Sequence, residues 1–106
     1  MAKELPYFRF TPQEWQNGDI SLESYAMKGL FVDVCSYYWV QDCVVTKKML
    51  VKKFRNARKN LQELIELGIL KHDDSTDEVV ILYLNKQYDL LSKSRIDKQE
   101  AGRIGG

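Results

Sequence analysis

The hydrophobic positions of this chain alternate between stretches of helical spacing and short apolar runs. The longest helical pattern opens at Ser21 and runs to about Val40. Its apolar positions share one face and comprise Leu22, Tyr25, Ala26, Leu30, Phe31, Val34, Cys35, Tyr38 and Trp39. We expect this helix to be the centre of the core, with Lys28 and Asp33 facing solvent. Gly29 within it would permit a close helix crossing.

Two shorter helices are predicted next, separated by a turn near Arg55. Thr46 caps the first, which runs from Lys47 to about Phe54 with Met49 and Leu50 facing inward. The second ends at Gly68, which serves as its C-cap. Its apolar positions recur at i, i+4, i+7 and i+8 and form one face: Ala57, Leu61, Leu64 and Ile65.

Short apolar runs predict strands at residues 42–45, 69–72 and 78–84, the last two joined by the turn-rich residues 73–77. A final helix is predicted from near Asn85, continuing as the polar stretch 92–100. This order of elements predicts an α+β fold, mainly α: a winged helix-turn-helix with a small β-hairpin wing. Its third core helix is the one expected to enter a major groove.

The segment before the long helix is rich in aromatic residues. Thr11 and Pro12 predict a short helix that stops near Gly18 in a left-handed C-cap. We expect a hydrophobic strap that closes the core, formed by Tyr7, Phe8, Phe10 and Trp15. The chain thus divides into this strap and short helix (1–20), the winged-helix domain (21–92), and a polar helix end with the start of a linker (93–106).

Charge is distributed very unevenly along the chain. Of 16 Lys and Arg residues, seven lie between positions 47 and 59, where no acidic residue occurs. The rest of the chain holds nine cations and 15 acidic residues, a formal charge of −6. A concentrated positive segment on a predicted helix-turn-helix favours nucleic-acid binding.

Within this segment the residue types suggest separate roles on DNA. Arg and Lys can read guanine, and Asn and Gln can read adenine. The candidates for base reading are Asn56, Arg58, Lys59, Asn60 and Gln62. The candidates for phosphate contacts, which position the domain, are Lys47, Lys48, Lys52, Lys53 and Arg55.

The predicted wing has the opposite charge. It reads His72-Asp-Asp-Ser-Thr-Asp-Glu78, with four carboxylates, whereas many winged helices carry Lys or Arg there to contact phosphate. An acidic wing repels the DNA backbone, so the helix-turn-helix itself must make the contacts. Glu63 and Glu66 also dilute the positive field at the far end of the recognition helix.

Other chemistry finds little support in the sequence. Cys35, Cys43 and His72 do not supply the usual ligand set of a zinc site, so no metal is expected, and no phosphate-binding Gly-rich loop occurs. We expect no enzyme activity, cofactor or small-molecule substrate, and we read the cysteines as buried hydrophobic residues and His72 as an exposed turn residue. The chain shows no membrane-length apolar run and no signal peptide, which favours a cytoplasmic protein.

Several motifs together resemble the N-terminal domains of phage and prophage replication proteins. They are Tyr7-Phe-Arg-Phe10, Glu14-Trp15, Ser21-Leu-Glu23, the helix Gly29 to Trp39 ending in Tyr-Tyr-Trp, Ser94-Arg95, and Glu100-Ala-Gly-Arg-Ile-Gly-Gly106. The resemblance implies a winged-helix domain of a replication initiator, replisome organiser or helicase-loader-like protein. It also implies that the chain is the N-terminal piece of a longer protein.

The sequence therefore predicts a non-enzymatic DNA-binding domain that aids origin recognition or replisome assembly, with duplex DNA as its partner. One alternative is a protein-interaction module that forms a homodimer or binds a replisome protein. Another is a transcription regulator, since the same fold serves both roles.

Overall fold

The computed structural model describes residues 7–91, which form an α+β fold dominated by helices. Helices α1 to α4 are Pro12–Asn17, Tyr25–Val40, Lys47–Lys53 and Arg58–Glu66, and residues 82–91 belong to helix α5. Strands β1 to β3 are Val45–Thr46, Lys71–His72 and Glu78–Val80. Two 3-10 turns, Asp19–Leu22 and Arg55–Ala57, precede α2 and α4. The predictions for residues 1–6 and 92–106 lie outside the described residues.

The three strands form one antiparallel sheet in the order β1-β3-β2. Val45 lies opposite Val79, and Lys71 lies opposite Val80. The predicted hairpin is therefore confirmed, with residues 73–77 as its loop. Strand β1 is shorter than predicted because Asp42 and Cys43 have φ values of 58° and 63°, which belong to a left-handed turn and not to a strand.

Helix α2 runs through the core as predicted, but it begins at Tyr25 and not at Ser21. The Ser24 hydroxyl accepts the Met27 N–H at 3.2 Å and so caps the helix at this point. Leu22 and Tyr25, predicted to be buried, are 84% and 88% exposed. The buried side chains are Ile20, Met27, Leu30, Val34, Cys35, Tyr38, Trp39, Val45, Leu50, Leu61, Leu64, Leu70, Val79, Ile81 and Leu84.

Two predictions about glycines are wrong. A Cβ added at Gly29 would meet no atom within 4 Å, so no neighbouring helix crosses there. Gly18 ends α1 with an extended φ of −86° and not in the left-handed region.

The chain enters α5 earlier than predicted. Strand β3 ends at Val80, whereas a strand to Leu84 and a helix from Asn85 were expected. The N–H groups of Leu84 and Asn85 both donate to the Ile81 carbonyl, at 3.0 and 2.9 Å. Ile81 and Leu84 are both buried and lie three residues apart, which is about one turn of a helix. The apolar run 78–84 therefore contains helical spacing at its end and not only a strand pattern.

Residues 7–11, the described part of the strap that precedes α1, are held against α5 by two side chains. The Arg9 N–H donates to Gln87 Oε1 at 2.7 Å, and Gln87 Nε2 donates back to the Arg9 carbonyl at 2.8 Å. The Tyr83 hydroxyl donates to the same carbonyl and accepts the Thr11 N–H at 3.1 Å. Gln87 therefore pairs with the strap backbone as a neighbouring strand would.

The aromatic residues around the strap do not all close the core. Phe8 and Trp15 are half-buried and pack against it, with the Phe8 ring 5.6 Å from that of Trp39 between centroids. Tyr7 and Phe10 are 70% and 58% exposed. The prediction is thus confirmed for the first pair and wrong for the second.

The two cysteines are free thiols. Cys35 is buried in α2, and burial raises its pKa to about 12. Cys43 lies half-buried in the turn before β1 and not in a strand. Burial, together with the nearby Asp42 and Asp89 carboxylates, also raises its pKa to about 12.

Candidate nucleic-acid interface

The cations of the positive segment lie on two helices and on the turn between them. Four of its cations lie on α3, Arg55 lies in the 3-10 turn, and Arg58 and Lys59 open α4. All are exposed except Lys47, which is half-buried. Among residues 7–91, none of these cations forms an ion pair with a carboxylate, although the Asp77 carboxylate lies close enough to Lys47 to interact with it electrostatically. They are therefore available to an external polyanion.

Helix α3 turns its lysines outward because of one cap and one buried leucine. The Thr46 hydroxyl accepts the Met49 N–H at 3.2 Å, which starts the helix where the sequence predicted. Leu50 is fully buried and fixes the rotation of the helix about its axis. Lys48, Lys52 and Lys53 consequently face solvent.

Helix α4 also follows its predicted pattern. Leu61 and Leu64 are buried, and Ala57 and Ile65 are half-buried beside them. Gly68 follows the helix with a φ of 77°, a value that glycine tolerates without strain. Burial of this face places Arg58 and Lys59 on the exposed side.

The acidic hairpin is attached directly to the start of α3. The backbone carbonyl of Asp77 accepts the Lys47 N–H at 2.9 Å, and its carboxylate accepts the Lys48 N–H at 3.1 Å. The same carboxylate lies 2.9 Å from His72 Nε2. The hydrogen bond with His72 is the largest cause that holds the pKa of Asp77 below its ordinary value, and the hydrogen bond from the Lys48 N–H is the second.

His72 was predicted to be an exposed turn residue, and this is wrong. It lies in β2 with its side chain 11% exposed, and its other ring nitrogen is 3.3 Å from Asp74. The Asp73 carboxylate accepts hydrogen bonds from the Ser75 hydroxyl and N–H, which lower the pKa of Asp73. The hairpin acids therefore support the fold locally.

Seven of the ten candidate DNA-contacting residues line one of two grooves. The first, the α3–α4 groove, is lined by Lys47, Val51, Arg58, Lys59 and Gln62, with Glu63 and Glu66 at the end of α4. Gln62 Nε2 lies 3.5 Å from Glu66 Oε1, one helical turn away. Because Arg58 and Lys59 open α4 and the two glutamates lie toward its end, the positive charge of this helix is concentrated at its start.

The second groove, the α2–turn groove, lies between the first turns of α2 and the 3-10 turn before α4. It is lined by Tyr25, Gly29, Asp33, Lys53, Arg55 and Asn56, among others. Base-reading and phosphate candidates therefore occur together in both grooves, while Lys48, Lys52 and Asn60 line neither. The individual roles of these residues stay predictions.

The sequence reasoning missed Tyr25 and Lys28 as members of this surface. Lys28 Nζ lies 4.8 Å from the centroid of the Tyr25 ring, a cation–π contact beside the second groove. The helical spacing of Tyr25 with Leu22 and Ala26 predicts a buried ring, whereas α2 begins at Tyr25 and leaves the ring exposed in its first turn. Reading Ser24 instead of Ser21 as the cap would have placed Tyr25 in the exposed first turn.

A third concave region is apolar. It has a volume of about 260 Å³ and lies beneath the strap, lined by Phe8, Phe10, Trp15, Phe31 and Tyr83, among others. The ring centroids of Phe10 and Trp15 are 5.4 Å apart, and those of Trp15 and Phe31 are 6.1 Å apart. Glu14 and Asp19 also contribute to its lining.

Within residues 7–91, no group of three or more His, Cys, Asp or Glu side chains is arranged to hold a metal ion. None of the described helices is both long enough and apolar enough to span a membrane.

Comparison of the chain with protein-family models, with curated proteins and with solved structures finds no match in any of the three. The resemblance to phage replication proteins therefore stays a prediction.

Proposed function

We propose that this chain is a non-enzymatic DNA-binding domain of the winged helix-turn-helix type, with α4 as its recognition helix. The order α2, β1, α3, α4, β2, β3 and the sheet order β1-β3-β2 support this architecture. In this arrangement α3 and α4 are the helix pair, and the β2–β3 hairpin is the wing.

The observation that carries the proposal is the exposed cationic surface of α3, the 3-10 turn and the start of α4, whose Lys and Arg side chains form no ion pair with a described carboxylate. Arg58 and Lys59 stand at the start of α4, where a recognition helix meets base edges. The lysines of α3 contact phosphates and fix the position of the domain on the duplex.

The hairpin does not contact DNA in this arrangement. Asp73 and Asp74 are exposed carboxylates that phosphate would repel, and Asp77 is hydrogen-bonded to the start of α3. The wing instead supports the position of α3. Recognition depends on the two helices, and the resemblance of the sequence motifs favours a role in origin recognition or replisome assembly.

The test is a fluorescence-anisotropy titration of the protein with a random duplex at low and moderate salt. We expect the double variant R58E/K59E to weaken binding by about tenfold or more, because each lost contact is worth roughly 1–3 kcal/mol. The matched control is K71E/K86E, which makes the same charge change at exposed positions outside the surface. Equal loss in both variants, or no binding at low salt, would overturn the proposal.

A protein-interaction module is the second candidate. The aromatic-lined cavity of about 260 Å³ beneath the strap favours it, because such a cavity can accept an apolar side chain of a partner. In that case R58E/K59E would leave partner binding unchanged. Much tighter binding to one short duplex than to random DNA would instead favour a transcription regulator.

A further inference from the structure

The α2–turn groove holds an aromatic side chain that the fold leaves in water. Tyr25 is 88% exposed in the first turn of α2. Within residues 7–91 no other aromatic ring packs against it, and its one ring contact is with the Lys28 ammonium at 4.8 Å from the centroid. An exposed ring at the rim of a groove can stack on a planar ligand.

The opposite wall of this groove is cationic. Lys53 ends α3 with its Nζ 5.8 Å from the centroid of the Tyr37 ring, and Arg55 follows in the 3-10 turn. Neither is ion-paired with a described residue. Among the described residues that line the groove, Asp33 is the one carboxylate. Phosphates are therefore favoured on the wall formed by Lys53 and Arg55.

The floor of the groove between these walls is open. Gly29 lies one helical turn after Tyr25, and a Cβ there would meet no atom within 4 Å. Asn56, on the cationic wall, carries both a donor and an acceptor that can meet a base edge. A flat ligand that lies on Tyr25 can consequently extend across Gly29 toward Asn56.

We propose that the α2–turn groove binds single-stranded nucleic acid, with one base stacked on Tyr25 and neighbouring phosphates paired with Lys28, Lys53 and Arg55. The bases of a duplex are stacked on each other and offer no free face to a tyrosine, whereas the bases of a single strand do. This proposal rests on the proposed function, because it uses part of the same cationic surface. It deepens that function by assigning single-stranded nucleic acid to the α2–turn groove.

The test compares Tyr25→Ala with Tyr25→Phe in anisotropy titrations on oligothymidine of about 12 nucleotides and on a random duplex. Loss of a stacked base weakens single-strand binding by about tenfold in Tyr25→Ala, while Tyr25→Phe retains it. Duplex binding stays within about twofold in both, because the proposed duplex contacts are made by α4 and by the lysines of α3 and not by Tyr25. Circular dichroism checks that both variants are folded. We expect both to fold, because the Tyr25 ring is exposed and not part of the core.

Two controls separate this proposal from the previous one. Tyr7→Ala removes another exposed tyrosine, one that is not part of the groove, and leaves single-strand binding unchanged. R58E/K59E lowers duplex binding and retains stacking on Tyr25. If Tyr25→Ala binds oligothymidine as tightly as the parent, or loses duplex binding to the same extent, the single-strand site is wrong while the duplex site stands. If the parent protein binds oligothymidine but does not bind the duplex, the duplex site is wrong while the single-strand site stands.

Discussion

At the residue scale, Asp77 connects the two oppositely charged parts of the molecule. Its carboxylate bonds both to His72 in β2 and to the Lys48 N–H at the start of α3. A residue of the acidic hairpin thus fixes the first turn of the cationic helix. The φ of 63° at Asp77 belongs to this geometry, because the left-handed conformation is one that Asp and Asn adopt more readily than most residues.

Replacement of Asp77 by Asn should lower the thermal unfolding midpoint at pH 7, since the charged acceptor of both hydrogen bonds is lost. The pKa of Asp77 is lower in the folded protein than its ordinary value of 3.8, so the folded state favours the charged carboxylate. Its stabilisation is present above pH 3.8 and disappears as the pH falls through the folded-state pKa. The difference between D77N and the parent should therefore vanish in strong acid.

The matched control is Asp74→Asn. Asp74 also approaches His72, but its side chain is fully exposed, so solvent screens the pair. We expect a smaller change in the unfolding midpoint than for D77N. An equal change in both variants would contradict the special position of Asp77.

At the element scale, side-chain hydrogen bonds hold the strap to α5, in addition to the packing of Phe8 against the core. Gln87 makes two bonds to the backbone of Arg9, and Tyr83 adds bonds to Arg9 and Thr11. The Gln87 amide both accepts from and donates to the backbone of Arg9, as the backbone of a neighbouring strand would. The position of the strap over the aromatic cavity therefore depends on one face of α5.

Gln87→Ala should loosen the strap without unfolding the domain. Removal of the acceptor for the Arg9 N–H costs about 1 kcal/mol, the net value of a typical hydrogen bond. Hydrogen exchange of the Arg9 amide should accordingly become about fivefold faster, while core amides of α2 keep their rates. Lys86→Ala, an exposed neighbour on α5, should leave the Arg9 amide unchanged.

The elements that the sequence predicted well are those with local signals at both ends. Helix α3 has Thr46 as a cap, and Gly68 closely follows the end of α4 at Glu66, so the approximate bounds and the buried faces of both helices followed from neighbouring residues. The start of α2 was wrong because Ser21 and Ser24 are both plausible caps. The Ser21 hydroxyl instead bonds to the carbonyls of Gln16 and Gly18 in the preceding turn.

The parts that could not be predicted depend on contacts distant in sequence. The run 78–84 changes from strand to helix at Ile81, because Leu84 must join the core while β3 pairs with β1 and β2. The position of His72 depends on Asp77 across the hairpin. The cationic segment was visible in the sequence, whereas its division between two grooves required the placement of α2 beside the 3-10 turn.

At the scale of the whole molecule, a chain with a formal net charge of only +1 presents a strongly positive surface on one helix pair. Four acidic residues lie at positions 73–78 in and beside the hairpin loop, and the two on the helix pair, Glu63 and Glu66, lie toward the end of α4. Net charge alone would not indicate affinity for a polyanion. The asymmetry also orients an approaching duplex, because the hairpin repels what the helices attract.

Duplex affinity should consequently fall steeply with salt. Each neutralised phosphate contributes about −0.9 to the slope of log K against log salt concentration, so five contacts give a slope of about −4.5. R58E/K59E should make this slope less negative by about 2 if both residues contact phosphates, and by less if they read bases. Anisotropy titrations over a series of salt concentrations measure the slope, and a slope near zero would contradict charge-driven binding.

Cys35 has a use that follows from its burial in α2. Alkylating reagents attack an accessible thiolate, and this thiol is 5% exposed with its pKa raised to about 12. Cys35 borders the cavity beneath the strap, so its modification requires the strap or the surrounding core to open, and the rate of Cys35 labelling measures how often that happens. Any ligand that binds only the closed molecule slows the labelling in proportion to its occupancy, so one buried sulfur atom can report on binding at a distant surface without an attached dye.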